Sequence, residues 1–399
     1  MLAFGLSTLA GALFVVACAA YLRGRFFATF AAVLLTVQGA LAVALYPAFD
    51  EVWPLYAYLQ ATVHLHFLAL AKARMRPWWW RAFVSVPGFF FTAGCVLGIF
   101  WASPIAMGMT TWTVLVPFAV AAFGVFQSLH TREEVVDVSL DGARVEGVRR
   151  HPRGAPTEDA RPLRIVQITD PHLGPLMSTE RLARICARAV ERAPDLILLT
   201  GDFLTMESQA DPQILEDALA PLAAAEGKVF ACFGNHDHEA PHLVRRALDA
   251  HGIVLLVDDE AVVETPVGPV QIVGADYRFR DRAAHLRALS EAFPRRDGHL
   301  RVVLLHDPGA FKHVPEGDGD LVLSGHTHGG QLGLLSLGLP WTFVSAFTSI
   351  PDHGLWARGA DRLYVHRGTG VYGFPLRIGV PGEQSLLRVH LPSRAAARE

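Results

Sequence analysis

The part of the chain that follows residue 163 carries five short motifs that combine carboxylate, amide and imidazole side chains. These groups are hard and borderline metal ligands, and no thiolate is among them, which suits a divalent cation such as Mn, Fe, Co or Zn. We therefore predict a metal site that is built from several separate segments. The motifs are Asp170-Pro171-His172, Gly201-Asp202, Gly234-Asn235-His236-Asp237, His306 and Gly325-His326-Thr327-His328.

Each of these motifs directly follows a short apolar run that is typical of a buried strand. Ligands of α/β folds bind beside the carboxyl ends of the strands, so this placement brings the motifs to one edge. Helical patterns at Thr179–Arg192 and Pro241–Ala250 alternate with the strands, which predicts a layered α/β domain. The predicted strands are Arg164–Thr169, Leu196–Thr200, Val229–Cys232, Val270–Val273, Val302–Leu305, Leu321–Ser324, Leu363–His366 and Ser385–Val389.

The order of the motifs, D-x-H, GD, GNHD, H and GHTH, resembles that of the calcineurin-like metallophosphoesterase superfamily over about Leu163 to Gln331. The closing GGQ and a tail with Gly368-Thr369-Gly370 and Pro375-Leu376-Arg377 are similar to its membrane-associated branch. Members of that branch are transmembrane proteins with a metallophosphoesterase domain, often compared with enzymes that hydrolyse UDP-2,3-diacylglucosamine. Pro171 departs from the family pattern but lies between the two ligands and replaces neither.

The resemblance implies an αββα sandwich of two mixed sheets flanked by helices, and it implies two divalent metal ions, with manganese favoured over Fe, Zn or Co. Two cations about 3.5–4 Å apart lower the pKa of a shared water and clamp the phosphoryl oxygens. Asp202 would bridge them, since its two oxygens can bind two cations. The first ion would be held by Asp170, His172, Asp202 and His328, and the second by Asp202, Asn235, His306 and His326.

His236 and Asp237 are the predicted catalytic side chains that do not bind metal. As an imidazolium, His236 would stabilise the equatorial phosphoryl oxygens or protonate the leaving alkoxide. Asp237 would orient the His236 ring, as carboxylates beside metal sites commonly do.

The first third of the chain has the composition of a membrane domain. The whole chain is 18% charged and 51% hydrophobic, but up to Leu129 it holds only six basic and two acidic residues. Five apolar runs there are each close to the ~20 residues that cross a bilayer as a helix. The runs are Leu2–Tyr21, Phe26–Tyr46, Val52–Ala71, Phe83–Trp101 and Met107–Gln127.

The basic residues of this third predict its orientation. Arg23 and Arg25 lie in the link after the first run, and Lys72, Arg74, Arg76 and Arg81 lie in the link after the third. Basic short links stay in the cytoplasm, so five crossings would put the N-terminus outside and the catalytic domain inside. We thus expect a multi-pass protein of the cell (inner) membrane with a cytoplasmic active site.

These observations predict three segments: a five-helix transmembrane domain at 1–129, a polar connector at 130–162 and a catalytic domain at 163–399. Beyond Leu129 the chain has 29 basic and 36 acidic residues, which excludes a nucleic-acid binder held by bulk positive charge. The four cysteines form no closely spaced framework and need no disulfide.

The function that we predict is hydrolysis of a phosphate or pyrophosphate ester by a membrane-anchored enzyme with a dinuclear metal centre. Its partners would be the lipid bilayer and a phosphorylated, lipid-linked substrate. Two alternatives stay open: a phosphodiesterase for a soluble nucleotide-type substrate, and a membrane sensor or scaffold that binds without turnover. Composition says nothing about oligomeric state.

Two apolar features allow more than one interpretation. Leu332–Phe347 is either a buried hairpin or an apolar patch that meets the bilayer or acyl chains. His64 and His66 lie within the third run and are either packing residues or functional groups. Two residues apart on a helix they point about 200° from each other, so they cannot share one ligand.

Overall fold

The computed structural model describes residues 1–109, 111–154 and 161–391. Its N-terminal part is helical, because long apolar segments satisfy their backbone polar groups internally only as helices. A π-helical turn at Arg81–Ser85 joins the fourth and fifth helices. The helices are α1 Leu2–Leu22, α2 Arg25–Leu45, α3 Trp53–Leu70, α4 Trp78–Trp80, α5 Val86–Leu97, α6 Ile99–Ala106 and α7 Leu115–Ser128.

Three of these helical stretches are long and apolar enough to cross a membrane: Leu2–Leu22, Arg25–Leu70 and Trp78–Leu97. The second has 46 residues and contains a kink at Phe49, where the backbone leaves the helical region. Trp112–Ser128 is apolar but shorter. Membrane-length helices in the first third agree with the composition, whereas the count of five crossings stays a prediction.

Contacts between helix ends show how the helices are arranged. The ring of Phe4 at the start of α1 stacks on Tyr46, with 4.6 Å between centroids. At the other end of α1, Arg23 donates a hydrogen bond to the carbonyl of Leu70, the last residue of α3. The links that hold the basic residues therefore lie at one end of the bundle, opposite the link that contains Tyr46.

The rest of the chain folds into two mixed sheets. The six-stranded sheet has the order β1-β13-β3-β4-β5-β6, and the seven-stranded sheet has the order β2-β11-β12-β10-β9-β8-β7. The strands are β1 Thr131–Ser139, β2 Val145–Arg150, β3 Leu163–Ile168, β4 Leu196–Leu199, β5 Val229–Ala231, β6 Val254–Leu255, β7 Asp259–Thr265, β8 Gly268–Ala275, β9 Leu300–Leu305, β10 Leu321–Ser324, β11 Gly354–Gly359, β12 Asp361–Val365 and β13 Gly382–His390.

Helices cover the outer faces of this sandwich. Buried residues of both sheets, such as Ile165 and Val302, form the central core. A second core, which includes Leu182, lies between the six-stranded sheet and the covering helices, and a third, which includes Leu286, lies beneath one helix on the other face. The predicted αββα class is confirmed. The helices of this part of the chain are α8 Thr179–Glu191, α9 Pro212–Leu219, α10 Pro241–Asp249, α11 Arg282–Ala292 and the exposed α12 Phe343–Phe347.

The segment predicted as a polar connector contributes a strand to each sheet. β1 pairs in parallel with β13, and β2 pairs with β11 in antiparallel fashion. Both lie at sheet edges, where exposed charged side chains are tolerated. Thr131–Ser139 contains four charged residues, a composition that is not typical of a buried strand. The sequence pattern therefore did not predict these two strands. Residues 155–160 of the segment lie outside the described structure.

The helix bundle contacts the catalytic domain at the end that holds the basic links. Arg23 of the first link donates to the carbonyl of Met206, and Arg181 of α8 donates to the carbonyl of Ser128. The Ser128 hydroxyl accepts a hydrogen bond of 2.8 Å from the backbone amide of Arg377. These bonds anchor the loops after β4 and before β13 to the helices.

The two histidines of α3 face different neighbours, as their spacing predicts. His64 lies 3.1 Å from Gln60 Nε2. His66 lies 3.3 Å from the Ser85 hydroxyl, and its Nε2 is 3.8 Å from a carboxylate oxygen of Glu207 in the catalytic domain. His66 thus belongs to the junction between the bundle and the catalytic domain.

Candidate dinuclear metal centre

The predicted ligand motifs meet at one end of the sandwich. Each follows the carboxyl end of a strand: Asp170 follows β3, Asp202 follows β4, Asn235 follows β5, and His306 follows β9. His326 and His328 follow β10 in the same way. Since β3, β4 and β5 run parallel in one sheet, and β9 and β10 in the other, all of these turns come together.

Six of the seven predicted ligands form two groups, within each of which the nearest donor atoms lie within 4.8 Å of one another. In the first group, His328 Nε2 lies 3.3 Å and His172 Nε2 lies 3.8 Å from Asp170 Oδ1. The groups are Asp170, His172, His328 and Asp202, His306, His326. This division matches the two ligand sets that the resemblance implied.

Asp202 lies between the two groups. Its Oδ2 is 3.2 Å from His306 Nε2 in its own group and 3.6 Å from His172 Nε2 in the other. Its Oδ1 accepts a 2.8 Å hydrogen bond from the backbone amide of His236. The carboxylate is therefore held in an orientation that suits a bridging ligand.

The backbone at this centre is strained. Five of the seven predicted ligands adopt positive φ, a region that non-glycine residues rarely enter and that costs about 1–3 kcal/mol per residue. Such strain is concentrated at functional sites, where the surrounding structure enforces it. The five are Asp170 (50°), His172 (45°), Asp202 (58°), His326 (68°) and His328 (53°).

Two motif glycines are required by the close approach of these turns. A Cβ atom on Gly201, which has φ of +87°, would lie 2.1 Å from the backbone nitrogen of Gly234. A Cβ atom on Gly325 would lie 2.0 Å from Asp170 Oδ2. The glycines of GD and GHTH thus let the ligand loops touch.

The donor set fits divalent cations. Among the described residues, Asn235 Oδ1 is a buried oxygen without a hydrogen-bond partner, and such oxygens are costly unless something binds them. Nδ1 of His306 lies 2.6 Å from the Thr200 carbonyl, and Nδ1 of His172 lies 3.3 Å from the Leu204 carbonyl. These contacts place the proton on Nδ1 and direct the Nε2 lone pair into the centre, as in metal-ligating histidines.

Electrostatics at the centre also suit cations. Burial penalises the charged form of Asp202, but the facing His306 and His172 outweigh this effect, so the pKa of Asp202 is lowered. Burial lowers the pKa of His172 to about 3, against the pull of Asp202. Asp202 and Asp170 outweigh burial and raise the pKa of His306 to about 10. A cation that binds there would displace this proton, because metal ligation needs the neutral imidazole beside an ionised carboxylate.

His236 lies at the mouth of the centre, and Glu239 contacts its ring. His236 Nδ1 is 2.6 Å from Glu239 Oε1, and its ring centroid is 5.6 Å from that of His172. Burial lowers the pKa of His236, but the hydrogen bond that its ring donates to Glu239 and the charge of Asp202 outweigh this effect, so the pKa is raised. A raised pKa favours the imidazolium form that a proton donor requires.

The role predicted for Asp237 needs correction. Its carboxylate accepts three backbone hydrogen bonds of 2.7–2.9 Å, from Asp202, Phe203 and Gly234. Burial and the nearby charge of Asp202 raise its pKa to about 7. Asp237 therefore pins the loops after β4 and β5 together, and Glu239 takes the place predicted for it beside the His236 ring. No sequence pattern predicts that a carboxylate three residues after a histidine in a loop will contact the histidine ring.

Replacing Glu239 with glutamine is expected to lower turnover by about 10–100-fold, the effect typical of carboxylates that orient functional imidazoles. Metal content should stay unchanged, because Glu239 is not among the clustered ligands. Adding E239Q to a His236→Ala variant should cause little further loss, since coupled residues are not additive. Independent, multiplying losses in the double variant would contradict this role.

Tyr372 was not predicted from the sequence as a site residue, yet it stacks on His172 with 4.5 Å between ring centroids, and its ring centroid lies 4.3 Å from that of His236. The GGQ motif explains its position: Gln331 Oε1 accepts a hydrogen bond from the Tyr372 amide, and Gln331 Nε2 donates to the Phe374 carbonyl. Arg377, fully buried, donates to the Gly370 carbonyl. In the sequence, the position of Tyr372 between the motifs Gly368-Thr369-Gly370 and Pro375-Leu376-Arg377 could have indicated that it belongs to the site.

A cavity of about 290 Å³ opens onto this centre and includes Asn235, His236 and Tyr372 in its wall. A sandwich of two mixed sheets with Asp and His side chains clustered at its strand ends is the arrangement of a metal-dependent phosphoric ester hydrolase. Residues 163–330 match the calcineurin-like phosphoesterase family. The chain belongs to that family.

Three relatives are similar to this chain in sequence. It is 32% identical over 237 residues to Phosphodiesterase YaeI of Escherichia coli, covering 58% of this chain and 84% of the relative. It is 29% identical to the transmembrane protein with metallophosphoesterase domain of Danio rerio, covering 70% and 63%. It is 26% identical to the UDP-2,3-diacylglucosamine pyrophosphatase LpxG of Chlamydia trachomatis, covering 57% and 83%.

Proposed function

We propose that the protein is a membrane-anchored phosphoesterase whose two-metal centre hydrolyses a phosphate or pyrophosphate ester of a lipid or lipid-linked substrate. The observation that carries the proposal is the position of the site. The loop after β4, which holds Asp202, accepts a hydrogen bond from Arg23 at the Met206 carbonyl, and its Glu207 lies 3.8 Å from His66 of the helix bundle. A phosphorylated headgroup at the membrane surface is therefore within reach of the centre.

The seven predicted ligands are proposed to hold two divalent cations, manganese favoured, with Asp202 shared between them. Two cations held in this way supply an activated water and neutralise the phosphoryl oxygens. His236 then donates a proton to the leaving oxygen or stabilises the equatorial oxygens. Glu239 holds the His236 ring, and Tyr372 stacks beside His172 to shape the wall.

An exposed apolar segment supports the membrane setting. Leu337, Leu339, Trp341, Phe343 and Phe347 lie on the protein surface, so the interpretation of this segment as a buried hairpin is not what the structure shows. Ser336 accepts a hydrogen bond from Gln127 near the end of α7, which puts the segment beside the helix bundle. Exposed aromatic and aliphatic side chains at such a position suit the bilayer interface.

Two substrates in parallel test the proposal. The full chain in detergent micelles with Mn²⁺ is incubated with UDP-2,3-diacylglucosamine, the substrate named for the LpxG relative, and with a cyclic nucleotide. We expect turnover of the lipid-linked ester, abolished by chelator and read by mass spectrometry. Turnover of the nucleotide alone would favour the soluble phosphodiesterase, an alternative that the name of the YaeI relative supports. No turnover of either, with metals bound, would favour a non-catalytic sensor.

We further propose that residues 1–129 form a five-span domain and that the catalytic domain is cytoplasmic. The basic links support this orientation, because Lys and Arg near span ends stay inside. They lie at the bundle end that contacts the catalytic domain, as the bond from Arg23 to Met206 illustrates.

Reporters fused after Glu399 in a bacterial host are expected to show the cytoplasmic side. A fluorescent protein that matures only inside should be bright, and a phosphatase that is active only outside should be silent. The same pair fused after Phe49, in the link without Lys or Arg, is the control and should give the opposite pattern. A silent fluorescent fusion with an active phosphatase fusion after Glu399 would contradict the five-span model.

A further inference from the structure

A second cavity, of about 430 Å³, lies between the helix bundle and the metal centre. Its volume is within the roughly 300–1,000 Å³ typical of small-molecule sites. Its helical wall comes from α2, α3 and α5, and its other wall comes from the loops that follow β3 and β4 and from residues 371–375. We propose that this cavity holds an acyl chain of the substrate lipid, an inference that rests on the proposed function and specifies how the lipid binds.

The cavity adjoins the metal centre directly. His172, Tyr372 and Phe374 line both this cavity and the cavity that opens onto the ligands. A molecule with its phosphate at the ligands can therefore extend its apolar part past Tyr372 and between the helices.

The other side of the cavity opens on the outer surface of the bundle. Phe30, Leu34 and Val37 of α2 line the cavity, yet they are 38%, 41% and 54% exposed. In a membrane-spanning bundle this surface faces hydrocarbon. An acyl chain can thus slide in sideways from the bilayer without passing through water.

The polar groups of the cavity do not oppose an apolar occupant. Gln38 exchanges two hydrogen bonds, of 3.0 and 3.1 Å, with Gln60. The Thr205 hydroxyl lies 2.6 Å from the Leu173 carbonyl and 2.8 Å from Glu207 Oε2. Glu207 and His66 lie near each other at the junction with the catalytic domain, where the more polar part of a lipid would be.

The expected role of the cavity is to position the substrate lipid. Hydrocarbon that moves from the bilayer into an apolar cavity gains little, because both surroundings are apolar. Without the cavity, however, a chain drawn toward the metals would be exposed to water, at a cost of about fourfold in affinity for each methylene. The cavity lets the phosphate reach the centre while the chain stays in apolar surroundings.

The test fills the cavity with a larger side chain and uses a neighbour as its control. Leu34→Trp places an indole in the cavity wall. Val33→Trp adds the same group to the same helix at a position that is 58% exposed and outside the cavity wall. Val37→Trp is a second cavity variant, chosen because its site is half exposed and tolerant of size.

Binding is read by photolabelling. The full chain, stripped of metal by chelator so that nothing is hydrolysed, is mixed in micelles with phosphatidic acid that bears a diazirine at the end of one acyl chain. We expect labels on cavity-lining residues of α2, α3 and α5, reduced about tenfold or more in both cavity variants and unchanged in Val33→Trp. Equal labelling of all three variants, or labels confined to surfaces outside the cavity, would overturn the proposal.

Turnover separates this inference from the proposed function. With Mn²⁺, both cavity variants should hydrolyse the small soluble diester bis(p-nitrophenyl) phosphate at the parent rate but lose turnover of UDP-2,3-diacylglucosamine. Undiminished turnover of that lipid in both cavity variants would overturn the acyl-chain site and leave the proposed function standing. Cavity labelling without turnover of any lipid ester would refute the proposed function and would leave the cavity as an acyl-chain site for a lipid that is not a substrate.

Discussion

Replacing Asp202 with asparagine is expected to abolish activity and to lower metal content from about two ions per chain. The amide that replaces the carboxylate has nearly the same shape but no charge to offset two dications. The loss of rate should exceed the ~10–100-fold that is typical of residues behind the ligands, because Asp202 faces both groups. Metal content is measured by inductively coupled plasma mass spectrometry, and rate with bis(p-nitrophenyl) phosphate.

The matched control is Asp217→Asn, since Asp217 is exposed and bonds only to Gln213 within the same helix among the bonds described. It should keep both metals and the parent rate. Two ions per chain together with parent turnover in D202N would refute the bridging role. A well-folded D202N protein, judged by circular dichroism, excludes unfolding as the cause of the loss.

Replacing His236 with alanine is expected to reduce turnover by about 10²–10⁴-fold, the contribution of a positioned proton donor or acceptor, while metal content stays near two. The separation is expected because the clustered donor atoms do not include His236, although its backbone amide bonds Asp202 and remains in the variant.

A diester with a good leaving group identifies which role His236 plays. If it protonates the leaving oxygen, the loss in H236A should be smaller for bis(p-nitrophenyl) phosphate than for an alkyl ester. An equal loss for both substrates would favour stabilisation of the equatorial oxygens. A metal-free H236A protein would show that the residue holds the centre together, contrary to our assignment.

The membrane composition and the layered α/β class of the catalytic domain could be predicted from local sequence patterns, and so could the strand ends that hold the candidate ligands. Strands such as β4 are short, wholly apolar and followed at once by a polar motif, so they need no tertiary information. The strands β1 and β2 were not readable, because a charged edge strand is stable only through its pairing with a neighbour, here β13 and β11. Their local sequence carries little of that energy.

The roles of the site residues also separate into those that the sequence predicts and those that the tertiary structure decides. The sequence placed the candidate ligands directly after predicted strands, and the resemblance of their order to the calcineurin-like family implied which seven of them would bind metal. The partner of His236 was decided by the tertiary structure: a loop turn brings Glu239 to the ring and sends Asp237 to three backbone amides. Such a choice depends on side-chain direction in an irregular loop, which no periodicity encodes.

The relation between the two halves of the chain also lay beyond the sequence. Composition determined that one part is apolar and the other is a soluble-type domain, because the hydrophobic effect acts on residue type. Where the loops at Met206 and Tyr372 meet α2, α3 and α5 was decided only by packing between segments more than a hundred residues apart. The cavity between them belongs to neither part alone, because its walls exist only once both have folded against each other.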